Sequence, residues 1–142
     1  MPEVKSIAIS SKKGTKKLPV ESCLLIEDFG FENDAHAAKG SMRQVSILPF
    51  DKFEAFKNIK NDIGYGDFGE NLVVSFDRTP NIGECLQIGG AVVEVTCIGK
   101  ECHNGCSIKN EVGYCIMPEF GLFAKVIKGG EVRVADSCSY CK

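Results

Sequence analysis

A glycine pair between two runs rich in β-branched residues constrains this sequence more than any other feature. The runs are residues 85–88 and 91–98, and Gly89-Gly90 joins them. A two-residue loop of this kind predicts a tight β-hairpin. Pairing the residues next to the turn places Cys85 opposite Glu94. Since side chains alternate between the faces of a strand, one face carries Leu86, Ile88, Ala91, Val93, Val95 and Cys97. We therefore expect Cys97 to be a buried, inert core thiol.

A second glycine pair, Gly129-Gly130, follows the apolar run 123–128 and precedes residues 131–134. The same reasoning predicts a second hairpin, with Lys128 facing Glu131 as an opposite-charge pair across the strands. In that register the inner face of the hairpin carries Phe123, Ile127, Val132 and Val134.

The remaining segments predict a mostly β fold with one helix. Short apolar runs indicate strands near residues 4–9, 20–26, 44–48 and 72–76, whereas the lysine-rich segment 10–17 indicates a solvated loop. An apolar residue recurs every third position after Pro49, which predicts one amphipathic helix carrying Phe50, Phe53, Phe56 and Ile59. Short strands and tight turns favour an antiparallel barrel or closed sandwich. A length of 142 residues with 44% hydrophobic residues predicts a single domain spanning residues 1–142.

Charge and hydropathy exclude several classes of function. Seventeen basic residues against nineteen acidic ones leave a net charge of −2, which does not favour nucleic-acid binding. A membrane span needs roughly 20 apolar residues, and the longest segment without Asp, Glu, Lys or Arg is 85–93. The first residues lack the apolar region of a signal peptide, so we expect a cytoplasmic protein with reduced thiols. The eight cysteines are then metal ligands, reactive thiols or core residues.

The densest group of reactive side chains lies in residues 99–106, which read Gly-Lys-Glu-Cys-His-Asn-Gly-Cys. Because this segment follows a predicted strand, we interpret it as a loop held by a rigid scaffold. Lys100 and a charged His103 favour the reactive thiolate of Cys102, whereas the adjacent glutamate opposes it. Cys106 is close enough along the chain to act as a second thiol.

Two other interpretations of these cysteines remain open. A single cysteine is most often a core residue. Cys102 and Cys106 could also complete a four-cysteine zinc site with Cys138 and Cys141. The pair at 138 and 141 has the usual two-residue spacing, while three residues separate the first pair.

Two polar clusters also adjoin predicted strands. One is the segment 33–37, Asn-Asp-Ala-His-Ala, with Arg43-Gln44 shortly after it, and the other is Gly69-Glu70-Asn71. Their side chains suit phosphate or carboxylate groups, although a satisfied loop histidine or a turn cap explains each cluster alone. We expect loops 29–40 and 64–69 to face the Cys102 loop and to form one pocket with it.

Seven motifs occur in consistent order along nearly the whole chain. They are Asn33-Asp34-Ala35-His36-Ala37, Arg43-Gln44-Val45-Ser46, Phe68-Gly69-Glu70-Asn71-Leu72, Ile98-Gly99-Lys100-Glu101-Cys102-His103 with Cys106, Cys115-Ile116-Met117-Pro118, Gly121-Leu122-Phe123-Ala124-Lys125-Val126 and Gly129-Gly130. Together they resemble the MOSC domain, which is named for the C-terminal domain of molybdenum-cofactor sulfurase. The sequence departs from the family pattern at Asn33 and Ala135, where glycine is usual, and the pair Cys138 and Cys141 is not part of that pattern. Asparagine tolerates a left-handed backbone nearly as well as glycine, so we expect the loop at Asn33 to be preserved.

The resemblance implies a strongly bent antiparallel β-barrel with one or a few short helices. It also implies sulfur or molybdenum-cofactor handling, with Cys102 as the family's characteristic thiol, which takes the sulfur or contacts the metal. The residues implied to shape the pocket around that thiol are Asp34, His36, Arg43, Gln44, Gly69, Glu70, Asn71 and His103. A cysteine desulfurase would donate the sulfur, and a molybdenum-cofactor enzyme or biosynthesis protein would accept it. Pyridoxal phosphate is not expected, because its Schiff-base lysine belongs to a separate domain of the eukaryotic sulfurase.

Three functions stay open on the sequence alone. The first is a sulfur carrier or sulfurtransferase-like protein in molybdenum-cofactor metabolism, in which Cys102 carries a persulfide and Cys106 releases the sulfur by forming a disulfide. The second is a non-catalytic module that binds molybdenum cofactor, a pterin or an oxyanion through Arg43, His36 and Asn71. The third is a zinc-stabilised structural domain.

Overall fold

The computed structural model of the chain describes residues 2–12, 17–35, 37–59, 62–98 and 121–141. Over these residues the fold consists of eleven strands and one helix. In chain order they are β1 (Val4–Ile9), β2 (Leu18–Val20), β3 (Ser22–Ile26), β4 (Gly30–Phe31), β5 (Val45–Pro49), α1 (Phe50–Ile59), β6 (Leu72–Val74), β7 (Cys85–Ile88), β8 (Ala91–Ile98), β9 (Leu122–Lys128), β10 (Gly130–Arg133) and β11 (Cys138–Tyr140).

The strands form two sheets rather than one closed barrel. Eight of them follow the order β11-β7-β8-β9-β5-β6-β1-β2, and three form a smaller sheet in the order β10-β3-β4. All described neighbours pair antiparallel except β5 and β6, which are parallel. The expected mostly β class with one helix is therefore confirmed, but the expected barrel closure is wrong for the described residues. The edge strands of the large sheet, β11 and β2, do not pair with each other. The smaller sheet covers the apolar face of the large sheet.

The two faces of the large sheet bury separate apolar clusters. The main core lies between the two sheets, where Leu25, Phe31 and Val132 of the smaller sheet meet residues of the larger one. The second cluster lies on the opposite face, where helix α1 packs Phe53 over the sheet. The Phe53 ring stacks on Tyr65 with centroids 4.9 Å apart. The predicted helix is confirmed, and it secures the segment that follows it to the sheet.

The hairpin of β7 and β8 is confirmed in its register. Ile88 lies opposite Ala91 and Cys85 lies opposite Glu94. The predicted inner face is buried from Leu86 to Val95, but the pairing with β9 shifts between Val95 and Cys97. Cys97 is half-buried as a result, rather than buried as its alternation predicts.

The second predicted hairpin is wrong. β9 pairs with β8 and β5, whereas β10 pairs with β3 of the smaller sheet, so the second glycine pair is a passage between sheets. Lys128 lies opposite Val92 and Glu131 lies opposite Leu24, so they do not face each other. On β9 the buried side chains are those of Leu122, Ala124 and Val126, the opposite face to the predicted one.

A close backbone crossing explains why glycines stand at this passage. A Cβ on Gly130 would lie 2.1 Å from the carbonyl oxygen of Gly90, and one on Gly129 would lie 2.8 Å from that of Leu25. The amide of Gly90 donates to the carbonyl of Glu131 at 3.0 Å. The two glycine pairs therefore meet in space, and the second one lets the sheets approach each other.

The two departures from the family pattern have left-handed backbones. Asn33 has φ of 66°, and Ala135 has φ of 78°. The expectation that asparagine preserves the loop at position 33 agrees with this geometry. Alanine has no polar side chain to offset the left-handed conformation, and the Ala135 amide is held there by a 2.8 Å hydrogen bond to the carbonyl of Val4.

No helix in the described part of the chain is long and apolar enough to span a membrane.

We predict that Gly130→Ala lowers the free energy of unfolding by about 1–3 kcal/mol, because the added methyl group collides with the backbone of Gly90. Gly64→Ala is the matched control, since a Cβ there meets nothing within 4 Å. The control should change stability by less than about 0.5 kcal/mol. Urea denaturation measures both variants, and equal stabilities would contradict the close crossing.

Candidate functional site

The structure describes six of the predicted site residues and leaves four outside the described ranges. Asp34, Arg43, Gln44, Gly69, Glu70 and Asn71 are described. His36 and all of residues 99–120, which include Cys102, His103 and Cys106, lie outside the described residues. The predictions that Cys102 takes sulfur or contacts metal, and that its loop shares a pocket with loops 29–40 and 64–69, stay predictions.

Asp34 forms an ion pair that is removed from water. Its Oδ1 accepts hydrogen bonds from the Lys17 ammonium at 2.6 Å and from the Ser10 amide at 3.0 Å. Both side chains of the ion pair are 0% exposed. The Ala35 amide donates to the Ser10 carbonyl at 2.7 Å, so this loop is attached to the chain just beyond β1. Oδ2 of Asp34 is buried and has no hydrogen-bond partner among the described residues.

Lys17 also joins this loop to the glycine-rich segment before β6. Its amide donates to the carbonyl of Gly66 at 2.9 Å. A Cβ on Gly66 would lie 2.1 Å from the Lys17 carbonyl oxygen, and Gly66 has φ of 89°, so only glycine fits this approach. Burial lowers the pKa of Lys17, while the hydrogen bond and charge of Asp34 oppose that shift. The ion pair and this backbone contact hold loops 29–40 and 64–69 together through one lysine.

Glu70 is the second buried carboxyl group of the site. It is 1% exposed, and it accepts the amides of Gly66 at 2.7 Å and Phe68 at 3.1 Å. Burial raises its pKa to about 7, against the effect of these hydrogen bonds. The carboxyl group closes the turn of residues 66–70 on itself. The turn passes through Gly69, whose φ is 76°.

Asn71 connects three strands of the large sheet. Its side-chain amide donates to the Ala8 carbonyl of β1 at 3.0 Å, and its Oδ1 accepts the Ser46 amide of β5 at 3.0 Å. In addition, the backbone amide of Asn71 donates to the Ser46 hydroxyl at 2.9 Å. Both polar ends of the buried Asn71 side chain are therefore engaged by protein groups at the start of β6.

Gln44 fixes the other end of the Asp34 loop. Its amide nitrogen donates to Asp28 at 2.9 Å and to the Ala38 carbonyl at 3.2 Å, while its Oε1 accepts the Val126 amide at 2.8 Å. The hydrogen bonds from Gln44 and Gly40 lower the pKa of Asp28. Asp34 and Ala38, which flank position 36 in the sequence, are thus both hydrogen-bonded to other parts of the fold.

Arg43 is half-buried, whereas the polar side chains of Asp34, Gln44, Glu70 and Asn71 are buried. Its guanidinium lies over the ring of Phe123, 4.9 Å from the ring centroid. Phe123 belongs to β9, the strand that follows residues 99–120. A cation stacked on an aromatic ring keeps its charge in a defined direction.

The strand register shows where the Cys102 segment joins the sheet. β8 ends at Ile98 and β9 begins at Leu122, on either side of the Cys102 segment in the sequence, and these two residues are paired. Leu122 pairs with Ile47, and Ile47 pairs with Leu72, the residue after Asn71. At about 4.8 Å between neighbouring strands, Leu122 lies roughly 10 Å from Leu72. The attachment points of the Cys102 segment and of the Glu70-Asn71 motif therefore share one row across the sheet.

The proposed zinc site gains no support from the described residues. Within them no group of three or more His, Cys, Asp or Glu side chains could hold a metal ion. Cys138 is 3% exposed and belongs to the main core, and burial raises its pKa to about 12, which opposes the thiolate that zinc requires. Since β11 is extended, Cys138 and Cys141 project from opposite faces.

Lys17 is the residue that the sequence reasoning missed. The lysines near the start of the chain indicate a solvated loop, but Lys17 is 1% exposed and ion-paired. Its neighbour Leu18 is 72% exposed. The charged residue is thus buried and the apolar residue exposed, the reverse of what their polarity suggests. No local pattern distinguishes Lys17 from the other lysines, because its partner Asp34 is 17 residues away.

Comparison with known proteins identifies the family and the fold. A family model described as the MOSC domain matches residues 34–139. The fold resembles the YuaD protein of Bacillus subtilis, with a TM-score of 0.77 at 14% identity, covering 99% of this chain and 96% of that one. It also resembles YiiM from Geobacillus stearothermophilus, with a TM-score of 0.75 at 16% identity, covering 100% of this chain and 76% of that one. YiiM from Escherichia coli gives a TM-score of 0.68 at 17% identity, covering 99% and 70%. No curated protein matches the sequence.

We predict that Lys17→Met destabilises the protein by about 3–5 kcal/mol, because it leaves Asp34 buried without its cation. Lys5→Met is the control, since the Lys5–Glu3 pair is 31% and 39% exposed, and its loss should cost less than about 1 kcal/mol. Adding Asp34→Asn to Lys17→Met should restore part of the loss by removing the unpaired charge. Urea denaturation decides, and equal losses for the two lysine variants would rule out a structural ion pair.

We predict that the buried carboxyl group of Glu70 makes the free energy of unfolding depend on pH. Because its pKa is about 7 in the folded chain and 4.5 ordinarily, the folded state keeps the proton in a window where the unfolded state releases it. The stability of the wild type should therefore fall as pH rises through this window. The glutamine of Glu70→Gln cannot titrate. Between pH 4.5 and pH 7, the free energy of unfolding of this variant should therefore rise by up to about 3 kcal/mol relative to that of the wild type.

The control for this effect is Glu84→Gln. Hydrogen bonds from Arg78 lower the pKa of Glu84 from 4.5 to about 2, so its carboxylate is charged in both states from about pH 5.5 to 7, the upper part of the Glu70 window. Its stability relative to the wild type should stay flat there. Chemical denaturation at several pH values measures both differences, and a flat profile for Glu70→Gln would show that Glu70 ionises normally in the fold.

Proposed function

This chain belongs to the MOSC domain family, as the match over residues 34–139 shows, and we propose that it carries sulfur for molybdenum-cofactor metabolism as a persulfide on Cys102. A cysteine desulfurase donates the sulfur, and a molybdenum-cofactor enzyme or biosynthesis protein accepts it. The protein acts in the cytoplasm, where thiols are kept reduced.

The observation that carries the proposal is the joining of two motif loops through buried Lys17. Asp34 binds the lysine side chain, and Gly66 binds the lysine backbone. Two of the loops that the resemblance places around the thiol, 29–40 and 64–69, are thus connected through buried contacts. A rigid frame suits sulfur transfer, because the loop carrying the thiol must meet a donor protein and then an acceptor.

The chemistry requires only thiols. The Cys102 thiolate attacks the outer sulfur of the desulfurase persulfide, forming a new S–S bond as the donor cysteine leaves as a thiolate. For release, the Cys106 thiolate attacks the inner sulfur of Cys102. This step forms a Cys102–Cys106 disulfide and expels hydrosulfide toward the acceptor. A cellular dithiol reductant then returns both residues to thiols.

The described residues fit a pterin-type cofactor with a phosphate group. Oδ2 of Asp34 is a buried acceptor without a partner among them, which suits the N–H donors of a pterin ring. The guanidinium of Arg43 is held over Phe123 and suits a phosphate. When bound, molybdenum cofactor would supply the metal that takes up the sulfur, with Asp34 and Arg43 holding its organic part.

These same two groups favour the second candidate, a non-catalytic module that binds the cofactor. Asn71 adds little to that function, because both of its polar ends are engaged inside the protein. The two functions differ in their dependence on Cys102, since binding alone would survive its replacement by serine.

Sulfur loading tests the proposal directly. The protein is incubated with a cysteine desulfurase and free cysteine, and the added sulfur is mapped by mass spectrometry. Cys102→Ser should abolish loading. Cys106→Ser should load normally and release sulfur several-fold more slowly, because the resolving thiol is missing. Cys23→Ser is the control for a half-buried thiol elsewhere and should behave like the wild type. Normal loading of Cys102→Ser would overturn the sulfur-carrier function and leave cofactor binding as the better one.

A further inference from the structure

Two cysteines outside the proposed sulfur site lie directly opposite each other at the edge of the large sheet. In the pairing of β7 with β11, Tyr140 lies opposite Leu86 and Ser139 lies opposite Gln87. The next residue continues the ladder, because the Cys141 amide donates to the Cys85 carbonyl at 2.9 Å. Cys85 and Cys141 are therefore cross-strand partners, although 56 positions separate them in the sequence.

Both thiols project from the outer face of the sheet. Leu86 is fully buried and Tyr140 packs against the main core. Alternation then turns Cys85 and Cys141 the other way, beside Gln87 and Ser139, which are exposed. The two cysteines themselves are half-buried, so a small reagent can reach them, whereas Cys138 faces the core and is buried.

The spacing of this pair matches that of a disulfide. Opposite residues in a hydrogen-bonded antiparallel pair have Cα atoms about 5.5 Å apart, and natural disulfides span Cα distances of roughly 4.4–6.8 Å. Burial raises the pKa of Cys85, and the neighbouring groups Cys141 and Glu94 add to the increase. The backbone pairing thus places Cys85 and Cys141 side by side, and both residues are free thiols.

We propose that Cys85 and Cys141 form a redox-active dithiol that small disulfides such as glutathione disulfide oxidise to a cross-strand disulfide. The thiolate of one cysteine attacks the glutathione disulfide, forms a mixed disulfide and expels one glutathione thiolate. The thiolate of the other cysteine then attacks the protein sulfur of that mixed disulfide and expels the second glutathione. The protein loses two hydrogens, and glutathione disulfide is reduced to two thiols.

The bond would lock an edge strand in place. β11 pairs only with β7 in the described sheet order, and the adjacent chain also holds residues 2–3, since the Cys138 amide donates to the Pro2 carbonyl at 3.0 Å. A covalent link from Cys141 to Cys85 prevents β11 from separating from the sheet. Oxidation therefore stabilises this edge, at a place distinct from Cys102.

The test oxidises the folded protein in which Cys102→Ser and Cys106→Ser remove the competing thiols of the proposed sulfur site. After treatment with glutathione disulfide, peptide mapping should find one peptide pair linked through Cys85 and Cys141, with a loss of two hydrogens. The midpoint of urea denaturation should rise on oxidation and return on reduction. In the same background Cys85→Ser should show no such rise and should leave Cys141 as a glutathione adduct.

Circular dichroism establishes that each variant is folded before oxidation. Persistent glutathione adducts on both cysteines of the parent protein, or bridges from either of them to another cysteine, would overturn the proposal. Cys23, which is half-buried elsewhere in the fold, serves as an internal control. If Cys23 is modified while Cys85 and Cys141 both remain free thiols, the proposal is overturned as well.

Discussion

The site depends on one ion pair that is withdrawn from water, that of Lys17 with Asp34. Removing two charges from water costs several kcal/mol for each ion, and only close pairing with further hydrogen bonds offsets the cost. Asp34 therefore cannot leave Lys17 without leaving a buried charge unpaired. Because the backbone of the same lysine is hydrogen-bonded to Gly66, loops that are separated in sequence keep a fixed relation to each other. The frame for the family motifs follows from this pairing.

The strand arrangement supplies the other half of that frame. Asn71 connects β1, β5 and β6, and Gln44 ties the Asp34 loop to β9. The buried motif residues Asp34, Gln44, Glu70 and Asn71 thus hold the backbone in place, while the guanidinium of half-buried Arg43 lies over the Phe123 ring. They hold loops 29–40 and 64–69, which are predicted to face the segment that carries Cys102.

The sequence predicts those features that depend on contacts between residues close together in the chain, and it does not predict those that depend on distant residues. The β7–β8 hairpin and helix α1 rest on contacts within a few residues, and alternation and apolar spacing record them. The Gly129-Gly130 passage has the same local sequence pattern as a hairpin turn. Glycine is required at position 130 because the backbone of Gly90, 40 positions earlier in the sequence, lies against it. Lys17 is indistinguishable from its neighbouring lysines until the fold brings Asp34 to it. The prediction of a closed barrel was wrong for a related reason. The alternation of apolar and polar residues along a strand indicates which face is buried, but it does not indicate which element covers that face.

Hydrogen exchange at single amides tests most directly whether Lys17 joins the two loops into one unit. The amide of Ala35 reports on the Asp34 loop, and the amide of Gly69, bonded to the Gly66 carbonyl at 3.0 Å, reports on the other loop. In Lys17→Met both amides should lose protection together, by more than tenfold, while the Val93 amide in β8 keeps its rate relative to global unfolding. Loss of protection at Ala35 with unchanged protection at Gly69 would contradict the account, because the loops would then be held independently.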